Sequence, residues 1–589
     1  MANNIWSDLY TSCEQPRTSW RPTMIGRHYA IASGHYLATE PASRILDRGG
    51  NAIDAGVAAA MALAVLQPNV VSFAGVAPTL IYLAREDRVI SLEGLGYWPA
   101  ATDVERLIAE GGDIVPEGIL RTVMPAAPAT HIEALRRYGT ISFEEAATPA
   151  MELARDGFAM YPLLALNIEA VKDGFDRYPE NARILRPGGR TPEVGSVFRQ
   201  EDLGRTIAAM IAAEKSARGD RSKKLRAVHD YFYRGPVAHA VADYHARHGG
   251  FVTREDLAGF EVPVAESIHC TYKDLEVHTC DVWCQGVVML ETLKILEGLD
   301  LKLLGHNSLN YVHMVSQALG LAFADREAYL GDPKFVDVPT AGMVSDTYGA
   351  LQRARIDPQR ASQEMAAPGN PRGAGFEPPR PVRMPEKQKS PMVQPQDTIY
   401  GCAVDAQGNA YSCTPSDNQN DTPIIPGTGL TISSRGNQSR LIKGHPSEVQ
   451  PGKRPRLTPS PALAVRDGKV FMAFGTPGGD IQKQAMLQVL LNVYEFGMSV
   501  QTAVEQPRFA NYNFPNSFAP HQYHPGRLCA EKPLADKLGD ALRKMGHQVE
   551  VWPQNAPTAG GVCAIMRDVA TGLLHAGADC RREGSAQAW

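Results

Sequence analysis

The sequence lacks the spacings that announce most metal and cofactor chemistries. Its nine cysteines (13, 270, 280, 284, 402, 413, 529, 563 and 580) form no Cys-x-x-Cys pair and are odd in number, so the chain reads as reduced and cytoplasmic rather than disulfide-framed. Cys280 and Cys284 are the nearest two; with no second pair and no adjacent histidine, a zinc site there is the weaker reading beside plain buried thiols. The sixteen histidines include no His-Glu-x-x-His, and His521 and His524, in a Pro-rich stretch, are expected at the surface. No run of about eighteen apolar residues exists, which excludes a membrane-spanning helix, and residues 1–21 lack the basic-then-apolar order of a secretory leader. Neither Gly-x-Gly-x-x-Gly nor a glycine loop ending in Lys-Ser/Thr is present, which argues against nucleotide binding. A net charge of −5 leaves no basic surplus for nucleic acid or an anionic membrane, and the short cluster Arg221-Ser222-Lys223-Lys224 reads as a solvated face.

What is present is an ordinary soluble balance, 44% hydrophobic and 21% charged, over 589 residues, enough for more than one core or for one large layered unit. Tyr-Ala-Ile-Ala-Ser from Tyr29 reads as a strand, Pro41 as the opening of a helix through Leu46, and Gly49-Gly50-Asn51 as a turn. Ala52 to Leu66 is apolar nearly all round, the mark of a helix packed between layers. Leu80–Leu83 and Val89–Leu92 flank a charged turn as a hairpin, and residues 127–330 read as mostly helical, without chemistry. Residues 365–396 hold eight prolines and read as a mobile loop, either a plain linker or the arm of a processed terminus. Beyond it the chain turns β-rich, with Ala462–Val465 and Val470–Phe474 joined by an Asp-Gly turn. Gly475-Thr476-Pro477-Gly478-Gly479-Asp480 then leads into a helix from Ile481 to about Phe496. Helices, hairpins and helices again favour two antiparallel sheets between helical layers, an α+β class.

The chemistry centres on Thr398, where the Pro-rich run stops and Thr-Ile-Tyr-Gly-Cys-Ala-Val begins a hairpin that returns as Ala-Tyr-Ser-Cys-Thr. A threonine hydroxyl is a poor nucleophile unless a base adjoins it, and a cut between Asp397 and Thr398 would free an α-amine of ordinary pKa near 8 on the nucleophilic residue itself. The competing reading is a structural threonine at the head of a buried hairpin. Gly478-Gly479, between a strand and a helix, offers unobstructed N–H groups to an oxyanion; a plain strand-to-helix turn is the alternative.

These residues keep company with Asp405, Gly408-Asn409-Ala410, Pro415-Ser416, Asn418, Gly49 to Ala55, Lys453-Arg454-Pro455, Ser460-Pro461 and Gly475 to Gly479. In their order along the chain these motifs resemble those of the gamma-glutamyltransferase family of N-terminal nucleophile hydrolases. The resemblance implies a four-layer α-β-β-α sandwich, with residues 1–397 as a large subunit ending in the loop 366–397 and 398–589 as a small subunit. It implies Thr398 as nucleophile after self-cleavage, Ser416 bonded to it, Gly478 and Gly479 as oxyanion donors, and Asn418 at the substrate. The partners implied are a small-molecule amide and the two self-derived subunits, as a single pair or as a dimer of that pair; no metal, organic cofactor, nucleic acid or membrane is called for.

The departures bear on specificity. Where the transferase branch holds the glutamyl carboxylate and amine, counting reaches Leu95, Leu457-Thr458 and Gln438. A pocket for that zwitterion would leave its charges unpaired, which costs several kcal/mol in a dry site. Arg435, beside Ser434, is a candidate anchor for a smaller acid, its alternative being a surface arginine. The chain therefore looks more like the non-glutamyl, oxamate-type amidohydrolases of the superfamily. A true gamma-glutamyltransferase with a rearranged pocket and an unprocessed scaffold protein stand as rivals.

Overall fold

A computed structural model describes residues 19–379 and 398–589. Two seven-stranded sheets carry the architecture. The first runs Met24–Gly26, Leu574–Ala578, Cys563–Arg567, Lys469–Gly475, Ala462–Arg466, Leu275–Thr279, Ile268–Tyr272. The second runs Ser585–Ala588, Ala30–Ser33, Gly401–Val404, Ala410–Cys413, Thr79–Leu83, Arg88–Leu92, Val264–Glu266. All the pairings in both are antiparallel.

The period of two in the strands assigns each side chain to a layer. Leu463 and Val465 join Cys402, Val404, Ala30 and Ala32 in the core between the sheets, whereas Ala462 and Ala464 face the helices Gly286–Leu296, Leu309–Tyr329 and Gln482–Tyr494. On the other side Ile31, Ala403 and Tyr411 meet the helix Ala52–Leu66, buried along its whole length. The order helix, sheet, sheet, helix is the expected four-layer sandwich. Both sheets mix strands from before and after residue 398, so the described residues of the two stretches build one shared body.

Motifs far apart in sequence meet here. Asn51 caps the helix Ala52–Leu66 by accepting from the Ile53 and Asp54 N–H groups. Asp405, at the turn of the nucleophile hairpin, accepts from Ala52 N at 3.0 Å and from Asn409 N at 2.9 Å. The hairpin that follows Thr398 is thereby pinned to the buried helix.

Several expectations need correction. Residues 127–330 also contain the hairpin Ile268–Tyr272/Leu275–Thr279 and the edge strand Val264–Glu266, because Cys270, Tyr272 and Val277 supply a buried face that the intervening charged residues obscure. Pro41 does not open its helix; the helix is Tyr36–Asp47, started by His35, whose Nδ1 accepts from Leu37 N, with Pro41 inside. His521 is buried, its ring nitrogens within bonding distance of the Asn516 and Ser439 carbonyls, and His524 is half-buried. The described part of the Pro-rich segment forms no helix or strand, yet it is tied down: Met365 N donates to Tyr523 Oη, Gly369 N donates to Asp325 Oδ1, and Tyr329 Oη donates to Gly369 O, each at 2.7 Å. The rest of that segment, 380–397, lies outside the described residues, as do Asp397 and most of the N-terminal stretch read as lacking a leader. Among the described residues no helix is long and apolar enough to cross a membrane.

Candidate active site

Thr398 sits three residues ahead of the strand Gly401–Val404, fully buried. Its flanking backbone is already in the sheet: Gly34 N donates to Tyr400 O, Ile399 N to Pro415 O, and Thr398 N to Val70 O at 3.1 Å. The threonine itself has φ +78°, a left-handed conformation that a β-branched residue adopts only at a cost of about 1–3 kcal/mol. The strain falls at the residue expected to open the mature chain.

Four side chains form a row. Thr398 Oγ1 and Ser416 Oγ lie 2.6 Å apart. Ser416 is placed by its backbone, which exchanges hydrogen bonds with Val76. Arg435, in the short turn Arg435–Gln438, donates from Nη2 to the same Ser416 oxygen. Behind it Asp417, also at positive φ (+117°), stands 3.6 Å from Arg435 Nε and accepts from Ser433 Oγ (2.6 Å), Ser434 N (2.9 Å) and Ser434 Oγ (2.8 Å). Arg435 is fully buried rather than a surface arginine, because Asp417 supplies the counter-charge that burial requires.

The turn Gly478–Gly479 precedes the helix Gln482–Tyr494, whose first residue approaches Thr398. Gly478 has φ +120°, and a Cβ there would come within 2.3 Å of Ile481 Cγ2; Gly479 has φ +62°. Gly478 O accepts from Ile481 N and Gly479 O accepts from Gln285 Nε2, while the two glycine N–H groups donate to no group among the described residues. Two unspent donors at one turn are what an oxyanion needs. Gln482, which sequence reasoning missed, extends Nε2 to 3.5 Å from Thr398 Oγ1 and accepts from Ser460 N through its own oxygen. Only its place one residue past the Gly-Gly-Asp-Ile turn hinted at it.

The remaining expected residues divide. Gln438 and Thr458 satisfy each other, Gln438 Nε2 donating to Thr458 Oγ1 at 2.8 Å and Thr458 N to Gln438 Oε1 at 3.2 Å. Ser434 meets the row at Asp417. Asn418 is buried with Oδ1 unbonded among the described residues. Leu95 and Leu457 join Trp283 and Cys284 in the inter-sheet apolar core. Among the described residues no group of three or more His, Cys, Asp or Glu side chains is gathered as metal ligands would be.

The chain matches the gamma-glutamyltranspeptidase family over residues 38–589. It belongs to that family. Among its relatives, the acylase ACY 1 proenzyme of Pseudomonas sp. (strain SE83) is 30% identical across 92% of this chain and 90% of its own. The glutathione hydrolase-like YwrD proenzyme of Bacillus subtilis (strain 168) is 28% identical across 96% and 99%. Of solved structures, LmbA2991HD superposes with a TM-score of 0.90 at 32% identity over 96% of this chain and 99% of that one. Cephalosporin acylase from Bacillus halodurans gives 0.83 at 26% over 98% of both. This gamma-glutamyltranspeptidase-family chain is therefore an enzyme with the α+β fold of the N-terminal nucleophile hydrolases, and its named relatives are proenzymes.

Proposed function

We propose that the chain is a self-processing amidohydrolase whose nucleophile is Thr398, acting on an amide of a small carboxylate-bearing substrate of the oxamate type. The observation that carries the proposal is the row Thr398–Ser416–Arg435 approached by Gln482, just beyond a turn whose two glycine N–H groups donate to no group among the described residues.

In processing, Thr398 Oγ adds to the Asp397 carbonyl, the C–N bond breaks, the departing nitrogen takes the hydroxyl proton, and water hydrolyses the resulting ester. Relief of the +78° backbone favours the break. The freed α-amine then takes the hydroxyl proton while Oγ attacks the substrate amide; Gly478 and Gly479 hold the oxyanion, the amine leaves with the proton, and water releases the acid. A positioned base contributes roughly 10²–10⁴-fold. Arg435 faces the Phe518 ring, 5.6 Å from its centroid, and supplies the positive charge for the substrate carboxylate.

The small-acid preference is supported by what surrounds the row. Gln438 and Thr458 are bonded to each other, and Leu95 and Leu457 are buried in apolar company, so these positions present no charge to a glutamyl head.

Denaturing intact-mass analysis of wild type beside Thr398→Ala tests the nucleophile: two fragments meeting at 397/398 in the wild type and one chain in the variant are expected. Ammonia release from oxamate, set against anilide release from γ-glutamyl-p-nitroanilide, then tests the substrate. An uncut wild type would overturn the mechanism in favour of a scaffold, and preference for the anilide would make the enzyme a glutamyl hydrolase.

A further inference from the structure

The expected active-site residues lie at or after Thr398, yet the turn that carries Gly478 and Gly479 is held by side chains from before it. Arg326, fully buried in the helix Leu309–Tyr329, is their hub. Its Nη1 donates to Gln285 Oε1 (2.9 Å), Asp480 Oδ1 and Ser517 Oγ (3.0 Å); its Nη2 donates to Glu327 Oε1 (2.8 Å) and Pro515 O (3.1 Å). The Phe323 and Phe514 rings hold the guanidinium, their centroids 4.6 and 4.9 Å from its carbon. A planar fork with its donors engaged and its faces packed is a fixed object.

Two arms lead from it to the site. Through Gln285, Nε2 donates to Gly479 O at 3.1 Å and Thr458 O at 3.2 Å, which fixes the plane of the peptide that follows Gly479. Through Asp480, which accepts from Ser517 N at 2.9 Å and Ser517 Oγ at 2.6 Å, the neighbouring Phe518 is set in place. Phe518 is the common wall of both halves of the site: its Cε2 is 3.0 Å from where a Gly479 Cβ would stand, and its ring faces Arg435.

We propose that Arg326 is a positioning residue for amide cleavage, acting through Gln285, Asp480 and Ser517 to aim the Gly478 and Gly479 N–H groups and to seat Phe518. The inference rests on the amidohydrolase reading above. It makes the large subunit a contributor to the oxyanion site of the small one. Displacement of reacting groups by about 1 Å costs on the order of 10²-fold in rate.

The test compares wild type, Thr398→Ala, Arg326→Lys, Arg326→Gln and Gln285→Leu, each scored for processed fraction by intact mass, melting temperature, and kcat and KM on oxamate and γ-glutamyl-p-nitroanilide. Rates are normalised to processed protein. For Gln285→Leu, which leaves the arginine in place, a kcat lower by on the order of 10²-fold with nearly unchanged KM is expected; Arg326→Lys should retain more kcat than Arg326→Gln. If the arginine variants do not fold, Gln285→Leu decides. Wild-type kcat in processed Gln285→Leu, with Thr398→Ala inert, would overturn the positioning role alone. Equal turnover by wild type and Thr398→Ala, or none by wild type, would overturn the amidohydrolase reading and this inference with it.

Discussion

Two buried polar assemblies meet at the glycine turn, and they are built on opposite plans. In the cluster around Arg326 the donors are spent on carboxylates, carbonyls and hydroxyls, and Glu327, which burial alone would push up, is held well below the usual carboxylate range by Arg456 and Arg326. In the row that starts at Thr398 the threonine hydroxyl has one close partner and one long one among the described residues, Ser416 at 2.6 Å and Gln482 at 3.5 Å. Saturation gives rigidity, and an unsaturated group beside it keeps the freedom to react. A sparsely held threonine thus stands on a heavily cross-braced frame.

Three changes probe that contrast. Gly478→Ala strikes where the assemblies touch: at φ +120°, with Ile481 2.3 Å from the new methyl, the turn must move and the oxyanion donors with it. A kcat loss of about 10²–10³-fold is expected with Thr398 still present; steady-state rates on processed protein check it, and an unimpaired enzyme would mean the oxyanion is held elsewhere.

Lys483 offers a buried cation built on neither plan. Its Nζ donates to Ser460 O at 2.6 Å and to Met486 Sδ, with no carboxylate in ion-pair reach among the described residues, and burial pushes its pKa down to about 8. The folded state therefore binds fewer protons than the unfolded chain between about pH 8 and the ordinary lysine value of 10.5. Stability from this group rises with pH across that window, and below pH 8 its full penalty, roughly 3 kcal/mol, applies. Lys483→Met should be stabilised relative to wild type at pH 7, and the gap should close as the pH approaches 10; paired thermal melts across that range measure it. A gap independent of pH would show that the lysine is not held against its charge.

The smallest effect is expected from Gln438→Asp. Restoring one acid among Leu95 and Leu457 leaves a glutamyl head without its carboxylate partner, so hydrolysis of γ-glutamyl-p-nitroanilide should not rise. A large gain would mean that Gln438 by itself excludes the glutamyl group.

Much of this was legible beforehand, for identifiable reasons. Alternation in Ala462–Val465 and Val470–Phe474, and the unbroken apolar face of Ala52–Leu66, announce layers because side-chain period and burial are local properties. Thr398, Ser416, Gly478 and Gly479 could be singled out as candidates because the chemistry proposed for them is tied to short motifs. Arg435 was visible only as a charge near replaced contacts; its burial depended on Asp417, whose positive φ no pattern announces. Arg326, Gln285 and Gln482 were not singled out at all. Arg326 and Gln285 sit in stretches whose helical pattern reads as plain scaffold, and their partners lie 154 and 194 residues away.

The sequence by itself determined most of the elements, the family, and which residue to propose as nucleophile, since each is written in residues close together along the chain. Only the tertiary structure decided which charges are paired, which donors go unspent among the described residues, and that Arg326 and Gln285, from before residue 398, hold a glycine turn that lies after it. Those depend on the desolvation and approach of groups hundreds of residues apart, which no local pattern encodes.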